Sequence, residues 1–268
     1  MQIERRITSR DNPLIRECNE LVLSARERRR SGRSVIEGIH LVQAWLRRHG
    51  LPDELLVSDS ACAHSEVQAL LSTHAGRASR VTDAVFQSLS GVAHGVGLLA
   101  VIRTPRPELP AQWAGDVLVL DRVQDPGNVG TLLRTCAAAG IDTLVTLPGT
   151  AFCWAPKVLR SAMGAHFELA IHESVAWSEV LLRWAGLGPV IGTRVPPADS
   201  LYDTRLLAPT LWVMGNEGEG LAAQTSAGVT QWISIPQTDR VESLNVAAAA
   251  AVCLFEQRRQ RLLSSLHP

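Results

Sequence analysis

Lysine is almost missing from this chain: Lys157 is the only one, and every other basic residue is arginine. There is one tyrosine, and aromatic residues make up 4% of the 268 positions. Sparse aromatics with no basic residues interleaved among them exclude an open stacking platform for single strands and place most of the seven tryptophans in a core. No apolar run approaches the ~18 residues of a membrane helix, and the opening MQIERRITSR lacks the apolar stretch of a secretory signal, so a cytoplasmic protein without a membrane partner is expected. The five cysteines, Cys18, Cys62, Cys136, Cys153 and Cys253, never fall in C-x-x-C spacing. A disulfide scaffold and a zinc site are thereby excluded, no metal is expected, and the thiols should be reduced and mostly buried. The histidines, His94 among them, show no ligand spacing either.

Standard catalytic signatures are also missing. No G-x-G-x-x-G follows a strand-like run, no P-loop can form around Pro156-Lys157-Val158, there is no G-x-S-x-G elbow, and His172-Glu173 lacks the second histidine of a zincin. Net charge is zero, with 26 basic and 26 acidic residues. That average hides an arginine-rich start: Arg5, Arg6, Arg10, Arg16, Arg26, Arg28, Arg29, Arg30 and Arg33 face only Glu4, Asp11, Glu17, Glu20 and Glu27. Such a cluster is either the solvated face of a helix or a phosphate-binding surface, for which local positive charge suffices and arginine's planar fork is suited.

What is present is an α/β chain in two parts. Leu14, Cys18, Leu21, Val22 and Ala25 recur at helical spacing and predict one helix over 12–30; a strand at 34–38, a helix at 39–49, a strand at 55–58, a helix at 67–72 and a buried strand at 97–102 follow. Three prolines, Pro105, Pro107 and Pro110, mark a linker. The expected domains are therefore 1–102 and 114–268, with 103–113 between them. In the second, strand-like runs at 116–121, 143–147, 190–193, 211–214 and 232–235 alternate with helical runs near 129–139, 157–163, 175–184 and 244–263. That order predicts a mostly parallel sheet covered on both faces, with ligands at the carboxyl ends of its strands.

Three glycine- and asparagine-rich segments, 121–130, 214–221 and 233–246, follow strand-like runs and could present bare backbone to a flat polar ligand. In order and spacing they resemble the three motifs of the SpoU (TrmH-like) 2′-O-ribose RNA methyltransferases, of the trefoil-knotted superfamily. The likeness rests on Asn128 and Arg134 in N-x-x-x-x-x-R, on Gly215-Asn216-Glu217-Gly218-x-Gly220-Leu221, and on Ile235-Pro236 followed by Ser243-Leu244-Asn245-Val246. The block Pro156-Lys157-Val158-Leu159-Arg160, continuing to Gly164-Ala165, resembles a further family segment. Ile7-Thr8-Ser9-Arg10-Asp11-Asn12-Pro13, Arg30 and Val35-Ile36-Glu37-Gly38 resemble the substrate-binding domain often fused to such enzymes.

The resemblance implies a C-terminal domain with a deep trefoil knot beside a smaller N-terminal α/β RNA-binding domain, in a homodimer that methylates RNA, ribosomal RNA before transfer RNA. It implies S-adenosylmethionine as cofactor, held by Met214, Gly215, Asn216, Gly220, Leu221, Ile235, Ser243 and Leu244. The catalytic set it implies is Asn128, Arg134, Glu217 and Asn245, with Glu217 bracing the second loop through backbone amides. RNA contacts would come from Arg10, Arg30, Arg33, Lys157 and Arg160. Arg134 is the family's proposed base, yet a guanidinium keeps its proton below pH ~12, so holding a phosphate or developing alkoxide is an equal possibility. Ser243 could cap the last helix as well as touch cofactor. Ala247 stands where family members carry a serine or other small residue.

Overall fold

The computed structural model describes residues 5–74, 78–91, 95–195 and 197–266; His94 lies outside them. The chain divides into two compact units, Met1–Pro105 with Trp154–Phe167, and Arg106–Cys153 with Glu168–Pro268.

The first unit runs β1 (Arg5–Ile7), α1 (Pro13–Leu23), α2 (Ala25–Ser31), β2 (Arg33–Glu37), α3 (Ile39–His49), β3 (Glu54–Ser58), α4 (Ser65–His74), β4 (Ala78–Val81), α5 (Asp83–Leu89) and β5 (Leu98–Arg103). Its five strands form one mixed sheet in the order β1-β4-β3-β5-β2, with β5 antiparallel to both neighbours and the other pairs parallel. The helix predicted over 12–30 is two helices. At Ser24 the backbone is extended (φ −112°, ψ 111°); the Ser24 amide closes α1 on the Glu20 carbonyl while its hydroxyl accepts from the Glu27 amide and opens α2. The apolar spacing that suggested one helix lies almost wholly in α1; α2 adds only Ala25 and buries Arg28. Strands β1 and β4 and helix α5 were not predicted: elements of three, four and seven residues are too short to give a periodic signal. Leu14, Ile15, Cys18 and Leu21 of α1 pack with Leu56, Leu99 and Val101 of the sheet and Val85, Phe86 and Leu89 of α5.

The second unit contains β6 (Val117–Leu120), α6 (Pro126–Ala139), β7 (Thr143–Thr146), β8 (Ala170–His172), α8 (Trp177–Trp184), β9 (Val190–Thr193), β10 (Asp199–Ser200), β11 (Leu211–Met214), α9 (Ala223–Ser226), β12 (Gln231–Ser234) and α10 (Val246–Leu266). The intervening α7 (Pro156–Ala162) groups with the first unit. Seven parallel strands make one sheet in the order β10-β12-β9-β11-β6-β7-β8, so the expected mostly parallel sheet is entirely parallel. All residues of β6 and β11 are buried, as strands covered on both faces require. Helix α6 begins at Asp125-Pro126: the Asp125 carboxylate accepts from the Asn128 amide at 3.0 Å, and proline loses nothing at the first helical position.

Six of the seven tryptophans are buried; Trp232 is the exception, half-buried on β12. The five cysteines are free, four of them buried. Burial pushes the Cys18 and Cys253 thiols up to about 12, which removes them from thiolate chemistry at neutral pH. No helix among the described residues is long and apolar enough to cross a membrane.

Candidate functional site: a loop-built cavity at the strand ends

In the second unit the carboxyl ends of β9, β11 and β12 line a cavity of about 630 Å³ with the second and third glycine-rich segments, while the first, after β6, contributes no lining residue and meets the second from behind. Ligand sites for small molecules span roughly 300–1,000 Å³. Leu221, Ile235 and Leu244 give it an apolar wall, and Gly215, Asn216, Glu217, Gly220, Ser243 and Asn245 line it with polar and backbone atoms.

The loop after β11 doubles back on itself. The amide and carbonyl of Asn216 pair with those of Gly220, both at 3.0 Å, and the Asn216 side-chain oxygen accepts from the amides of Gly218 and Glu219. The turn leaves no room for a side chain at Gly215, where a Cβ would stand 2.5 Å from the Gly220 carbonyl carbon. Gly220 itself is left-handed at φ +67°. The first loop clamps this turn. Asn216 Nδ2 donates to the Arg122 carbonyl at 2.9 Å, and Arg122 Nη1 returns to Glu219 at 2.5 Å. Arg122 holds a left-handed φ of +56°, a conformation that costs an L-residue roughly 1–2 kcal/mol, offset here by those bonds. The buried Asp121 carboxylate accepts from the Ala222 amide at 2.7 Å. Sequence reasoning singled out neither Asp121 nor Arg122, although an acid closing a β-strand before Asp-Pro was the available signal.

Three side chains, one from the first turn of α6 and two from the loops after β11 and β12, form one hydrogen-bonded chain. Asn128 Nδ2 donates to Glu217 at 2.9 Å, and Asn245 Nδ2 donates to the Asn128 side-chain oxygen at 3.0 Å. The Asn245 oxygen then accepts from the amides of Ala247 and Ala248, so Asn245, not Ser243, caps α10. An asparagine one position before the helix does this better than a serine three positions before it. Glu217 accepts from the amides of Gln124 and Asp125, both at 3.4 Å, and so ties the first loop to its own. Burial alone would push its carboxyl up, but the bonds from Asn128 and from the amides of its own residue, Gln124 and Asp125 prevail and hold it below the ordinary glutamate value.

A carboxyl so depressed contributes stability above its unfolded value that is lost as pH falls through the folded one. The ordering of the three loops should therefore be level from neutral pH down to about 5 and decline only below the usual glutamate range near ~4.3. Glu217→Gln should abolish that acid limb in a titration of cofactor affinity. An unchanged limb would assign it to another group.

The other expected site residues fall elsewhere. Met214 is fully buried in β11, its sulfur near the Thr193 hydroxyl, and does not line the cavity; as the last strand residue it faces the packed core. Arg134 is exposed on α6, makes no hydrogen bond or ion pair with Asn128, Glu217 or Asn245 among the described residues, and does not line the cavity. Six residues along a helix is about 240° of rotation, which turns it away from the Asn128 face. Arg33 in the first unit pairs with Glu17 and with Asp53, the latter at 3.3 Å, so it is an internal ion-pair residue. Arg30 forks onto Glu27 of the same helix, and Arg10 donates to the Ala84 carbonyl. Both side chains stay exposed. Arg28, from the same basic run, is buried and donates to the carbonyls of Leu21 and Val22 at the end of α1. Lys157 is exposed on α7, and the Arg160 guanidinium packs beside Gly91.

Residues 116–255 match the SpoU rRNA Methylase family, and residues 12–100 match the MRM3-like substrate binding domain. The chain belongs to the SpoU rRNA methylase family. Over 254 residues it is 30% identical to the 23S rRNA (guanosine(2553)-2′-O)-methyltransferase RlmP of Bacillus subtilis, covering 95% of this chain and 99% of that one. Among solved structures, an RNA 2′-O ribose methyltransferase superposes with a TM-score of 0.80 at 30% identity, covering 96% and 99% of the two chains. The SpoU methyltransferase AviRb of Streptomyces viridochromogenes, solved in complex with the cofactor AdoMet, superposes with a TM-score of 0.83 at 25% identity over 94% of this chain and 100% of that one. As a SpoU family member, the chain has its family match spanning all three glycine-rich segments.

Proposed function

We propose that this SpoU protein transfers a methyl group from S-adenosylmethionine to a ribose 2′-hydroxyl of RNA, with large-subunit ribosomal RNA as substrate. One observation carries the reading: Asn128, Glu217 and Asn245 tie the start of α6 to the loops after β11 and β12, and the last two line a cavity of cofactor size. The cavity suits S-adenosylmethionine, with Leu221, Ile235 and Leu244 for the adenine faces and the bare backbone at Gly215 and Gly220 for its edges. When bound, the cofactor supplies a methyl on a positively charged sulfur.

The chain's part is to align and to neutralise. Glu217, ionised at neutral pH, fixes Asn128, and Asn128 fixes Asn245, so the amide groups facing the acceptor hydroxyl are positioned before RNA arrives. Alignment of two bound reactants supplies much of the rate in a displacement of this kind. Bound there, the cofactor would supply the methyl that the hydroxyl oxygen takes, the sulfur would leave as a neutral thioether, and the hydroxyl proton would pass to water. Arg134, exposed and charged, grips an RNA phosphate rather than removing that proton. Arg134→Ala should raise the KM for RNA about tenfold or more and reduce its salt dependence, with cofactor affinity unchanged. A kcat loss at unchanged KM would return Arg134 to the proton transfer.

The functional division we propose is 1–102 for RNA recognition, 103–113 as linker and 114–268 for methyl transfer, with Arg10, Arg30, Lys157 and Arg160 offered to phosphates. We also read the last segment as a trefoil knot: the chain leaves β12 near one edge of the sheet and returns past the 214–221 loop to pack α10 on α6. Stretching the chain from its ends should leave a residual loop; full extension would refute the knot. The protein would act in the cytoplasm as a homodimer; the exposed Phe255, Leu262 and Leu263 of α10 support the dimer, and light scattering at the mass of one chain would refute it.

Incubation with methyl-labelled S-adenosylmethionine and ribosomal RNA should place label in a nucleotide whose own linkage resists alkali. Label in an alkali-labile position would mean base methylation, and label in transfer RNA alone would move the substrate. Cofactor binding without any transfer would leave an RNA-binding assembly factor.

A further inference from the structure

The cavity has a second wall that the family motifs do not touch. Thr193, Arg194 and Val195, at the end of β9, line it together with Trp232 and Gln237. Arg194 is the sole basic side chain among the lining residues. It is exposed, and it forms no ion pair with any described residue. The two acids of the cavity are already engaged: Glu219 pairs with Arg122, and Glu217 holds Asn128 and two amides.

Arg194 is placed by packing from below. Gly192 and Trp232 are register partners on neighbouring strands, and a Cβ at Gly192 would stand 2.9 Å from the indole. Glycine therefore lets the Trp232 ring lie flat on β9. The Arg194 guanidinium carbon sits 4.9 Å from the centre of that ring, and the Arg194 amide extends the strand ladder to the Ile233 carbonyl at 3.0 Å. A guanidinium stacked on an indole loses little freedom and keeps its N–H edge outward, the arrangement suited to forked recognition of a carboxylate.

We propose that Arg194, shelved on Trp232, binds the carboxylate of the amino-acid tail of S-adenosylmethionine. The inference rests on the cofactor reading above and adds the residue that recognises the tail. With the motif loops occupied by adenine and ribose, the anionic end of the ligand meets the one uncommitted cation of the cavity. The product S-adenosylhomocysteine carries the same tail, so the contact also governs product release.

Calorimetric titration of the full-length protein with S-adenosylhomocysteine and with 5′-methylthioadenosine, which lacks the tail, tests it. Arg194→Ala should weaken S-adenosylhomocysteine about tenfold to a hundredfold, the usual range for one charge-assisted bond, and leave 5′-methylthioadenosine within about threefold. Arg194→Gln, which keeps a planar stacking group without charge, should behave like the alanine variant, and unchanged 5′-methylthioadenosine binding verifies that each variant is folded. Equal weakening of both ligands would make Arg194 a structural support, and no weakening of either, with loss of RNA affinity instead, would make it an RNA contact; both overturn the proposal. Wild-type protein that binds neither ligand would overturn the cofactor site itself, a result distinct from the other two.

Discussion

Asn128→Ala should lower kcat for RNA methylation about a hundredfold while leaving the Kd for S-adenosylhomocysteine within about threefold. Asn128 is the middle link of the three-residue chain: its amide nitrogen holds Glu217 and its oxygen holds Asn245. Alanine leaves both neighbours in place but free to move against one another, and a displacement of about 1 Å at a reacting centre is enough for such a loss. The apolar residues of the cavity wall, Leu221, Ile235 and Leu244, take no part in those bonds. Steady-state kinetics and calorimetry on one preparation separate the two effects. A Kd that rises in step with the fall in kcat would show that Asn128 shapes the cofactor pocket instead of the reacting geometry. Asn128→Asp is the sharper companion: its oxygen still accepts from Asn245, but it opposes Glu217 with like charge, and it should be no better than alanine.

The second large effect is expected in binding. Gly215→Ala should weaken S-adenosylhomocysteine about a hundredfold, because the new methyl would lie within 2.5–2.7 Å of backbone atoms at Gly220 and Leu221. Backbone cannot swing aside as a side-chain tip can, so the turn must open and break one or both Asn216–Gly220 bonds. Overpacking of this sort costs about 1–3 kcal/mol, and for a domain of this size that is a melting shift of only several degrees. The variant should therefore fold, yet present a cavity with its edge-binding backbone displaced. Near-native affinity in a calorimetric titration would mean that the 214–221 turn is not part of the cofactor site.

Much of this site could be read in the sequence because its function lies in loop positions with strict residue demands. Asn128, Glu217 and Asn245 lie far apart in the chain, yet all sit at the ends of strand-like runs, and a parallel sheet brings such ends together. What stayed hidden was partnership. Arg33 and Arg30 look alike in a basic run, but one is enclosed between two acids and the other forks onto its own helix neighbour. Arg28 reads as a surface charge and is an internal carbonyl cap. Met214 sits inside the motif by position and outside the cavity by the alternation of a buried strand. Ser24 broke a helix that periodicity joined, because a cap acts through one hydroxyl and leaves no periodic trace. Arg194 and Trp232 had no motif at all, since their stack depends on a cross-strand pairing that only the register shows.

The grouping of Trp154–Phe167 with Met1–Pro105 bears on how such proteins could be rebuilt. Val22, Val35 and Leu41 of the first unit face Leu159 of α7, and Trp45 meets Phe167 edge-on with ring centres 5.5 Å apart. The main chain thus passes between the units at three places, not one. A chimaera that grafts residues 1–105 onto another second unit would carry an incomplete core and an uncovered apolar face. Exchange of the first unit has to take a second, internal segment with it, so that unit is contiguous in space but not in the gene.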